Sequence, residues 1–513
     1  MTPDSPVPSN LDHVEQAKRA LHARISAVYE VLFFSHTMSS LPGAPDERAA
    51  EQLVRVIALA RTGQTKSVLW LLLSALSTVV PNSKSMREAI SALARVSEGE
   101  FYTWLLATTA ETCRADGLPL ARVEILNESV VLDVTNCAVS DRQTGIQRVV
   151  RETVPIWARE HGVTLLRWSD GAHRMQRLES EEEDRVLRWG TRTGAQTKTS
   201  SPKIASRAVG PSTFVIPWAS RLVLVEVTSK PQSLRLESLA EFSANSLSAI
   251  GYDCIPLVSP DLMPRPGGLD FMNYLQVMRR VDVIAGISVA AAQEFRGFLE
   301  ATAAHGVQVA DVIECELPAD APTDTPRRRA SRQRPVILSV GSHEPRKNHL
   351  AVLYAAERMW ARGLDFEMWF LGGHGWGTAF DKQVSDLQRK GRRIVTKRQV
   401  SDLEIWDAYA QCRFTVFPSL HEGYGLPVAE SIALRKPVVT SNYGSTKQIA
   451  QRGGALLVDP RDDEDLYQAM HALLTDNELY AGLVEEATAA PVRSWTDYAR
   501  ELWSGLALPE GER

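Results

Sequence analysis

Phe417-Pro-Ser-Leu-His-Glu-Gly-Tyr-Gly-Leu-Pro-Val-Ala-Glu430 is the stretch on which the reading of this 513-residue chain turns. It begins as a strand, because Phe414-Thr-Val-Phe417 is aromatic and β-branched and is closed by Pro418. It continues as a tight loop in which Gly423 and Gly425 flank Tyr424, so that the backbone can take positive φ and approach a ligand closely. It ends as a helix: Pro427 suits the first helical position, and Val428, Ala429, Ile432, Ala433 and Leu434 supply an apolar stripe. A strand, a glycine loop and a helix start together make an anion site, since free N–H groups and the positive end of the helix dipole converge there. Glu422 lies in the loop, within reach of a group attached to the anion. Glu430 lies about one turn into the helix, where a carboxylate can accept two hydrogen bonds from a vicinal diol such as a ribose. Taken singly, either glutamate could equally be a residue that complements the dipole.

Directly after a second apolar strand, Val336-Ile-Leu-Ser-Val340, stands Gly341-Ser-His-Glu-Pro-Arg-Lys-Asn348. Two cations on one loop at the carboxyl edge of a strand suit a diphosphate, with Arg346 as a fork and Lys347 as a point charge. The Glu-x7-Glu spacing across a Gly-x-Gly-x-Pro turn, together with this Glu-Pro-Arg-Lys-Asn segment, resembles the donor site of a large family of retaining glycosyltransferases. These are the GT4-like enzymes (glycosyl transferases group 1), and they have the GT-B fold. The resemblance covers about residues 125–508. It implies an α/β architecture of two Rossmann-like parallel-sheet domains facing a cleft, to which this chain adds an N-terminal helical extension.

Carried over residue by residue, the resemblance makes Lys347 and Arg346 the holders of a nucleotide diphosphate and Glu422 the holder of the transferred sugar. Glu430 becomes the ribose ligand, and Gly423, Tyr424, Gly425, Leu426, Gly341 and Gly373 line the nucleotide side. Gly145 and Arg148, in Thr144-Gly-Ile-Gln-Arg148, match the loop that faces the donor phosphates across the cleft; a helix-entry glycine and a solvated arginine are the alternative. Asp253, in Tyr252-Asp-Cys-Ile-Pro256, matches the Asp-x-Ile-Pro segment of one branch and would orient sugar hydroxyls or assist proton removal; turn capping is the alternative. One departure stands out. The usual small-Gly-Pro turn after the second glutamate reads Arg435-Lys436-Pro437, which places positive charge at a helix end.

Composition excludes several classes. At 44% hydrophobic and 23% charged the chain is globular, and a net charge of −5 gives no reason to expect nucleic acid. Five scattered cysteines without a Cys-x-x-Cys pair fit reduced thiols better than disulfides or zinc. Residues 1–6 do not read as a signal peptide, and the longest apolar run, 68–80, is too short to span a bilayer. A cytoplasmic protein is expected, with peripheral contact to the inner face of a membrane or to assembly proteins through the helical extension.

The predicted organisation is a helical accessory region over 1–122, with helices at 11–31, 47–60, 68–80, 86–96 and 101–112, then an acceptor-side domain over 123–318. A Pro- and Arg-rich linker follows at 319–334, then a nucleotide-sugar domain over 335–490 and, over 491–513, a helix crossing back to the first domain. Alternating strands and helices are expected from Ser129 onward, with a polar surface insertion at 169–212. The expected activity is metal-independent, retaining transfer of a hexose or deoxyhexose, mannose or rhamnose favoured, onto a glycan or lipid-linked saccharide in surface polysaccharide synthesis. GDP-mannose is the favoured donor, with UDP- and dTDP-sugars as alternatives, and no tightly bound cofactor or metal is expected. A nucleotide-sugar epimerase of the same fold, or a binding protein working through its helices, are the competing readings.

Overall fold

The computed structural model describes residues 10–33, 43–63, 65–115, 118–189, 213–264, 267–303, 310–318, 334–376 and 378–508. The predicted linker lies outside these residues apart from Arg334. The α/β fold that the strand–helix alternation predicts is present as two sheets.

The first sheet has nine strands: β1 (Arg122–Asn127), β2 (Val130–Asp133), β3 (Val163–Trp168), β4 (Met175–Arg177), β5 (Thr213–Trp218), β6 (Arg221–Leu224), β7 (Ser246–Gly251), β8 (Val283–Gly286) and β9 (Asp311–Glu314). Their order is β1-β5-β4-β3-β2-β6-β7-β8-β9, and β4 alone runs antiparallel to its neighbours. The chain reverses direction across this sheet between β2 and β6. The second sheet has six parallel strands: β10 (Val336–Val340), β11 (Glu367–Leu371), β12 (Ile394–Lys397), β13 (Phe414–Phe417), β14 (Val438–Ser441) and β15 (Ala455–Val458). Their order, β12-β11-β10-β13-β14-β15, is the doubly wound one. Its reversal falls between β10 and β13, whose carboxyl ends carry the Lys347 and Glu422 loops. Strands β10, β13 and β14 are buried along their whole length, as near-continuous apolar runs flanked by helices must be.

Two differences from the sequence reading concern the first sheet. Strand β1 lies before Ser129, where the alternation was expected to begin, and pairs in parallel with β5 over six residues. The stretch at 169–212 is not simply a polar insertion. It supplies β4, and its acidic run forms the helix Ser180–Leu187, in which Glu182 closes a capping box at Glu179; residues 190–212 lie outside the description.

The amino-terminal region forms the helices Asn10–Phe33, Pro45–Thr62, Lys66–Ser77, Ser83–Arg95 and Glu98–Ala115. Every described apolar residue of Lys66–Ser77 is buried, as the 68–80 run requires. The core of this bundle is continuous with one face of the first sheet: Leu72 and Phe101 belong to the same apolar cluster as Phe214, Leu222 and Leu239. The helices thus complete the first domain. At the other end of the chain, Trp495–Gly505 packs on the helix Gly145–Glu160, where the Trp157 indole donates to the Ala499 carbonyl at 2.8 Å and His161 stacks on Trp503 at 3.7 Å. No described helix is long and apolar enough to cross a membrane. All five cysteines are buried free thiols.

One buried cation ties bundle to sheet. Arg24, 4% exposed, donates to the carbonyls of Leu76 and Pro119, each at 3.0 Å, and to Ala20 at 3.1 Å. It thereby satisfies a carbonyl at the end of Lys66–Ser77, a helix that stops in a left-handed Thr78. Arg24→Met keeps the apolar stem but removes these hydrogen bonds, at a cost of about 1–3 kcal/mol. The variant should show a lower thermal midpoint and earlier proteolytic cleavage within residues 10–115.

Candidate active site at the facing edges of the two sheets

The loop after β13 and the loop after β10 meet because their strands are neighbours at the reversal point. Ser431 fixes the helix Leu426–Ala433 over β13: its hydroxyl is 2.7 Å from that of Thr415 and donates to the Lys436 carbonyl. Gly425, with φ of 113°, makes the left-handed turn into this helix. The Lys436 amide donates to the Ser431 carbonyl at the end of its own helix, while its ammonium donates to the Ala410 and Cys412 carbonyls at the end of Asp402–Gln411. Arg435 adopts φ of 59°, the left-handed conformation in which glycine is favoured.

Arg346, Lys347 and Glu422 converge. Lys347 Nζ lies 2.6 Å from Glu422 Oε1 and Arg346 Nη1 lies 2.8 Å from Oε2, while the Ser419 hydroxyl donates to Oε1 at 2.5 Å. Arg346 also reaches Glu344 and the His421 carbonyl, and Lys347 stands over the Phe417 ring at 4.9 Å. Burial by itself would raise the Glu422 carboxyl, but Arg346 and Lys347 outweigh it and hold it at about 2. Burial pushes Lys347 down against the pull of Glu422. For Arg346 the carboxylates of Glu422 and Glu344 override burial and raise the guanidinium further. The cluster sets two basic side chains against Glu422, with Glu344 as a second carboxylate on Arg346.

Asp253 faces this triad from the first domain. Its carboxylate accepts from the Ile255 amide at 3.1 Å, so it does cap its turn, and it is also close enough to Arg346 to feel its charge. Burial lifts its carboxyl above the usual range, with Arg346 opposing and Glu294 and Glu422 adding to the rise. The two domains touch here: a Cβ on Gly423 would collide with the Tyr252 carbonyl, and the Ser288 hydroxyl donates to the Gly423 carbonyl at 2.6 Å. A cavity of about 90 Å³ lies beside the triad, lined among others by Glu294, Ser419, His421, Glu422 and Tyr443. Among the described residues no group of three or more His, Cys, Asp or Glu side chains is placed to hold a metal ion.

The remaining candidates are placed as follows. Arg148 crosses the cleft and pairs with Glu430 Oε1, its guanidinium 5.2 Å from the Trp406 ring, and the Tyr409 hydroxyl donates to Glu430 Oε2 at 2.8 Å. Arg148 therefore meets Glu430 and not the phosphate-side cations. Gly145 faces Leu426, whose Cδ1 would lie 3.6 Å from an added Cβ. Tyr424 turns away from the cavity, is buried, and donates to the Leu317 carbonyl at 2.6 Å. Gly341 takes φ of 146° beside the Lys347 stem. Gly373 has room for a side chain. Its neighbours Gly372 and Gly375 are the positions where a Cβ would strike the backbone of the 341–344 loop.

Sequence reasoning missed Tyr409, Ser419, His421 and Glu294. His421 adjoins Glu422 in the motif and could have been noticed there; Glu294 lies in the helix Val289–Ala303 with no motif around it.

Residues 321–490 match the family described as Glycosyl transferases group 1. The serotype-specific mannosyltransferase WbdA of Escherichia coli is 26% identical over 215 residues, covering 39% of this chain and 26% of that protein. The O-antigen chain mannosyltransferase B of Escherichia coli is 33% identical over 129 residues, 24% of this chain and 33% of that protein. The chain thus spans only about a quarter to a third of the length of these relatives. Among solved structures, HepE of Anabaena in complex with UDP shares the fold at a TM-score of 0.50 and 12% identity, over 74% of this chain and 99% of that one. The fold is GT-B, and through its second domain the chain resembles the GT4-like glycosyltransferases of group 1. Within that class it is similar to bacterial mannosyltransferases of O-antigen synthesis.

Two buried histidines support the 341–348 loop from below. His343 and His349 pack with Phe370 and Phe380, and no ring nitrogen of either imidazole reaches a hydrogen-bond partner among the described residues. Burial pushes His349 down to about 3, and it lowers His343 as well. The unfolded chain takes up these protons near pH 6.5 and the folded domain refuses them. Stability is therefore complete above about pH 6.5 and declines as pH falls, by up to about 1.4 kcal/mol per pH unit for each histidine. Thermal midpoints measured from pH 7 to 5 should fall, and His349→Phe should flatten that decline.

Proposed function

We propose that this protein is a retaining, metal-independent glycosyltransferase that moves a hexose, mannose by preference, from a nucleotide sugar to a glycan or lipid-linked saccharide acceptor. The relatives' names speak for mannose as the sugar, and GDP-mannose is the donor we favour for it. The observation that carries the reading is the triad of Arg346, Lys347 and Glu422 at the reversal point of the second sheet, with Asp253 opposite.

In this reading the diphosphate of the donor replaces Glu422 as the partner of both cations. The exchange keeps both cations paired and turns the Glu422 carboxylate toward the sugar hydroxyls, which can donate hydrogen bonds to it. As the bond from the anomeric carbon to the phosphate oxygen breaks, Arg346 and Lys347 meet the charge that develops on the leaving group. The acceptor hydroxyl attacks the same face of the sugar. Its proton passes to the departing phosphate, with Asp253, whose carboxyl is raised by burial, orienting the hydroxyls or helping to carry it. Glu430 receives the ribose once Arg148 gives way. In this reading the two domains part to admit the donor and close on it.

Three variants and one chelation experiment test these assignments. Transfer should survive EDTA; complete loss restored by Mg²⁺ would refute the leaving-group role of the two cations. Lys347→Ala should lower turnover by roughly 10²–10³-fold and weaken nucleoside diphosphate binding. Glu430→Gln should raise KM more than it lowers kcat. Glu422→Gln should lower kcat while nucleoside diphosphate binding is unchanged or tighter, because the competing carboxylate charge is gone. Weaker nucleotide binding in that variant would show that the sugar does not lie beside Glu422.

A further inference from the structure

One carboxylate touches the immediate sequence neighbours of both acids that face each other across the cleft. Glu294 Oε2 accepts from the amide of Cys254, the residue after Asp253, at 2.7 Å. Glu294 Oε1 lies 2.7 Å from Nε2 of His421, the residue before Glu422. The other imidazole nitrogen, Nδ1, is 2.8 Å from the Ser259 hydroxyl of the first domain. His421 belongs to the second domain, whereas Glu294 and Ser259 belong to the first, so this contact exists only while the domains are together. Both partners line the cavity beside the triad.

We propose that Glu294 and protonated His421 form a positioning latch that sets the distance between Asp253 and Glu422 and holds the two domains in the closed, reactive register. The proposal rests on the glycosyl-transfer reading above and adds to it a residue pair whose work is alignment.

The surroundings favour an imidazolium. Among the described residues, the charged groups that raise the ring's proton affinity are Glu294 from Val289–Ala303, Asp253 from the turn after β7, and Glu422 on its own loop; the Arg346 guanidinium donates to the His421 carbonyl. With both ring nitrogens protonated, Nε2–H donates to the Glu294 carboxylate and Nδ1–H to the Ser259 oxygen. Partial burial works against the charge, but Glu294, Asp253 and Glu422 outweigh it and raise the His421 pKa. When the domains part, the imidazole loses Glu294 and its affinity for the proton falls toward the ordinary histidine value. By linkage, closure is fully supported below the raised pKa and weakens as pH rises through it.

Two variants separate this latch from a merely structural contact. Wild-type kcat, measured from pH 6 to 9, should fall on its basic side. Glu294→Gln should move that basic limb toward acid by roughly one pH unit or more and lower kcat at pH 7.5 by roughly 10–100-fold, through misalignment of the two acids. His421→Gln keeps a hydrogen-bonding side chain that cannot titrate, and leaves the Glu294 contact to Cys254 intact, so its profile should lose the basic limb without harm to the first domain. X-ray scattering of the ligand-free wild type over the same pH range should show the radius of gyration rising as the limb is crossed, and His421→Gln should abolish that dependence. A basic limb unchanged in both variants, or a wild-type radius that does not respond to pH, would overturn the latch. If the wild type transfers no sugar at any pH, the glycosyl-transfer reading falls, and the scattering titration alone decides whether the latch exists.

Discussion

A carboxylate removed from water must be met by positive charge, and this requirement, applied to Glu422, organises the second domain. Desolvating one carboxylate costs several kcal/mol, and breaking a buried pair by removing one partner costs about 3–5 kcal/mol. Arg346 and Lys347 meet that demand, and both arrive on the loop after β10. They can do so only because β10 and β13 are neighbours, which follows from the order β12-β11-β10-β13-β14-β15. The doubly wound topology is thus what brings a cationic loop and a glycine loop, 75 residues apart in the chain, into one hydrogen-bonded group. The same group is chemically suited to exchange: two buried cations that already hold one anion can hold another of greater charge.

The contacts between the domains are of a different character. Hydroxyls of Ser288 and Tyr424 donate to backbone carbonyls across the seam, and Tyr252 abuts Gly423 without room for a side chain. Each neutral hydrogen bond contributes only about 1 kcal/mol net; beside them Tyr252, Ile287 and Ala291 of the first domain share one buried apolar cluster with Tyr424, Val428 and Ile449 of the second. Charged links join the same surfaces: Arg148 to Glu430, His421 to Glu294, and Arg452 to Glu316. Such ionic partners are ones that a charged ligand could replace. The helix Trp495–Gly505 buries Trp495, Tyr498, Leu502 and Trp503 with the first domain's helix Gly145–Glu160 alongside, an apolar anchor for the end of the chain.

The helical region belongs to the same physical account. The first sheet extends beyond β3 through β4, β5 and β1, and its apolar face there needs a cover. The fully apolar helix Lys66–Ser77 supplies one, which explains why a segment that looked like an accessory bundle shares its core with the sheet. Arg24 then closes the junction, a buried cation that donates to the Ala20, Leu76 and Pro119 carbonyls and to the Cys113 sulfur.

The chain by itself determined the second domain and the identity of its charged residues. A strand, a glycine turn and a helix start are local patterns, and the resemblance they carry marked Arg346, Lys347, Glu422 and Glu430 as candidates, the first three of which the structure brings together. The five amino-terminal helices were legible for the same reason, since a periodicity of 3.6 is written within each segment. Strand β1 was not, because a short strand of mixed burial at a sheet edge carries no period distinguishing it from a loop. Only the tertiary structure decided that Gly372 and Gly375, rather than Gly373, are sterically required, that Tyr424 faces Leu317, that Arg148 meets Glu430, and that Glu294 meets His421. Those pairs lie as far as 282 residues apart in the chain. Their partners are chosen by the way two independently formed sheets face each other, a relation that no local spacing of residues encodes.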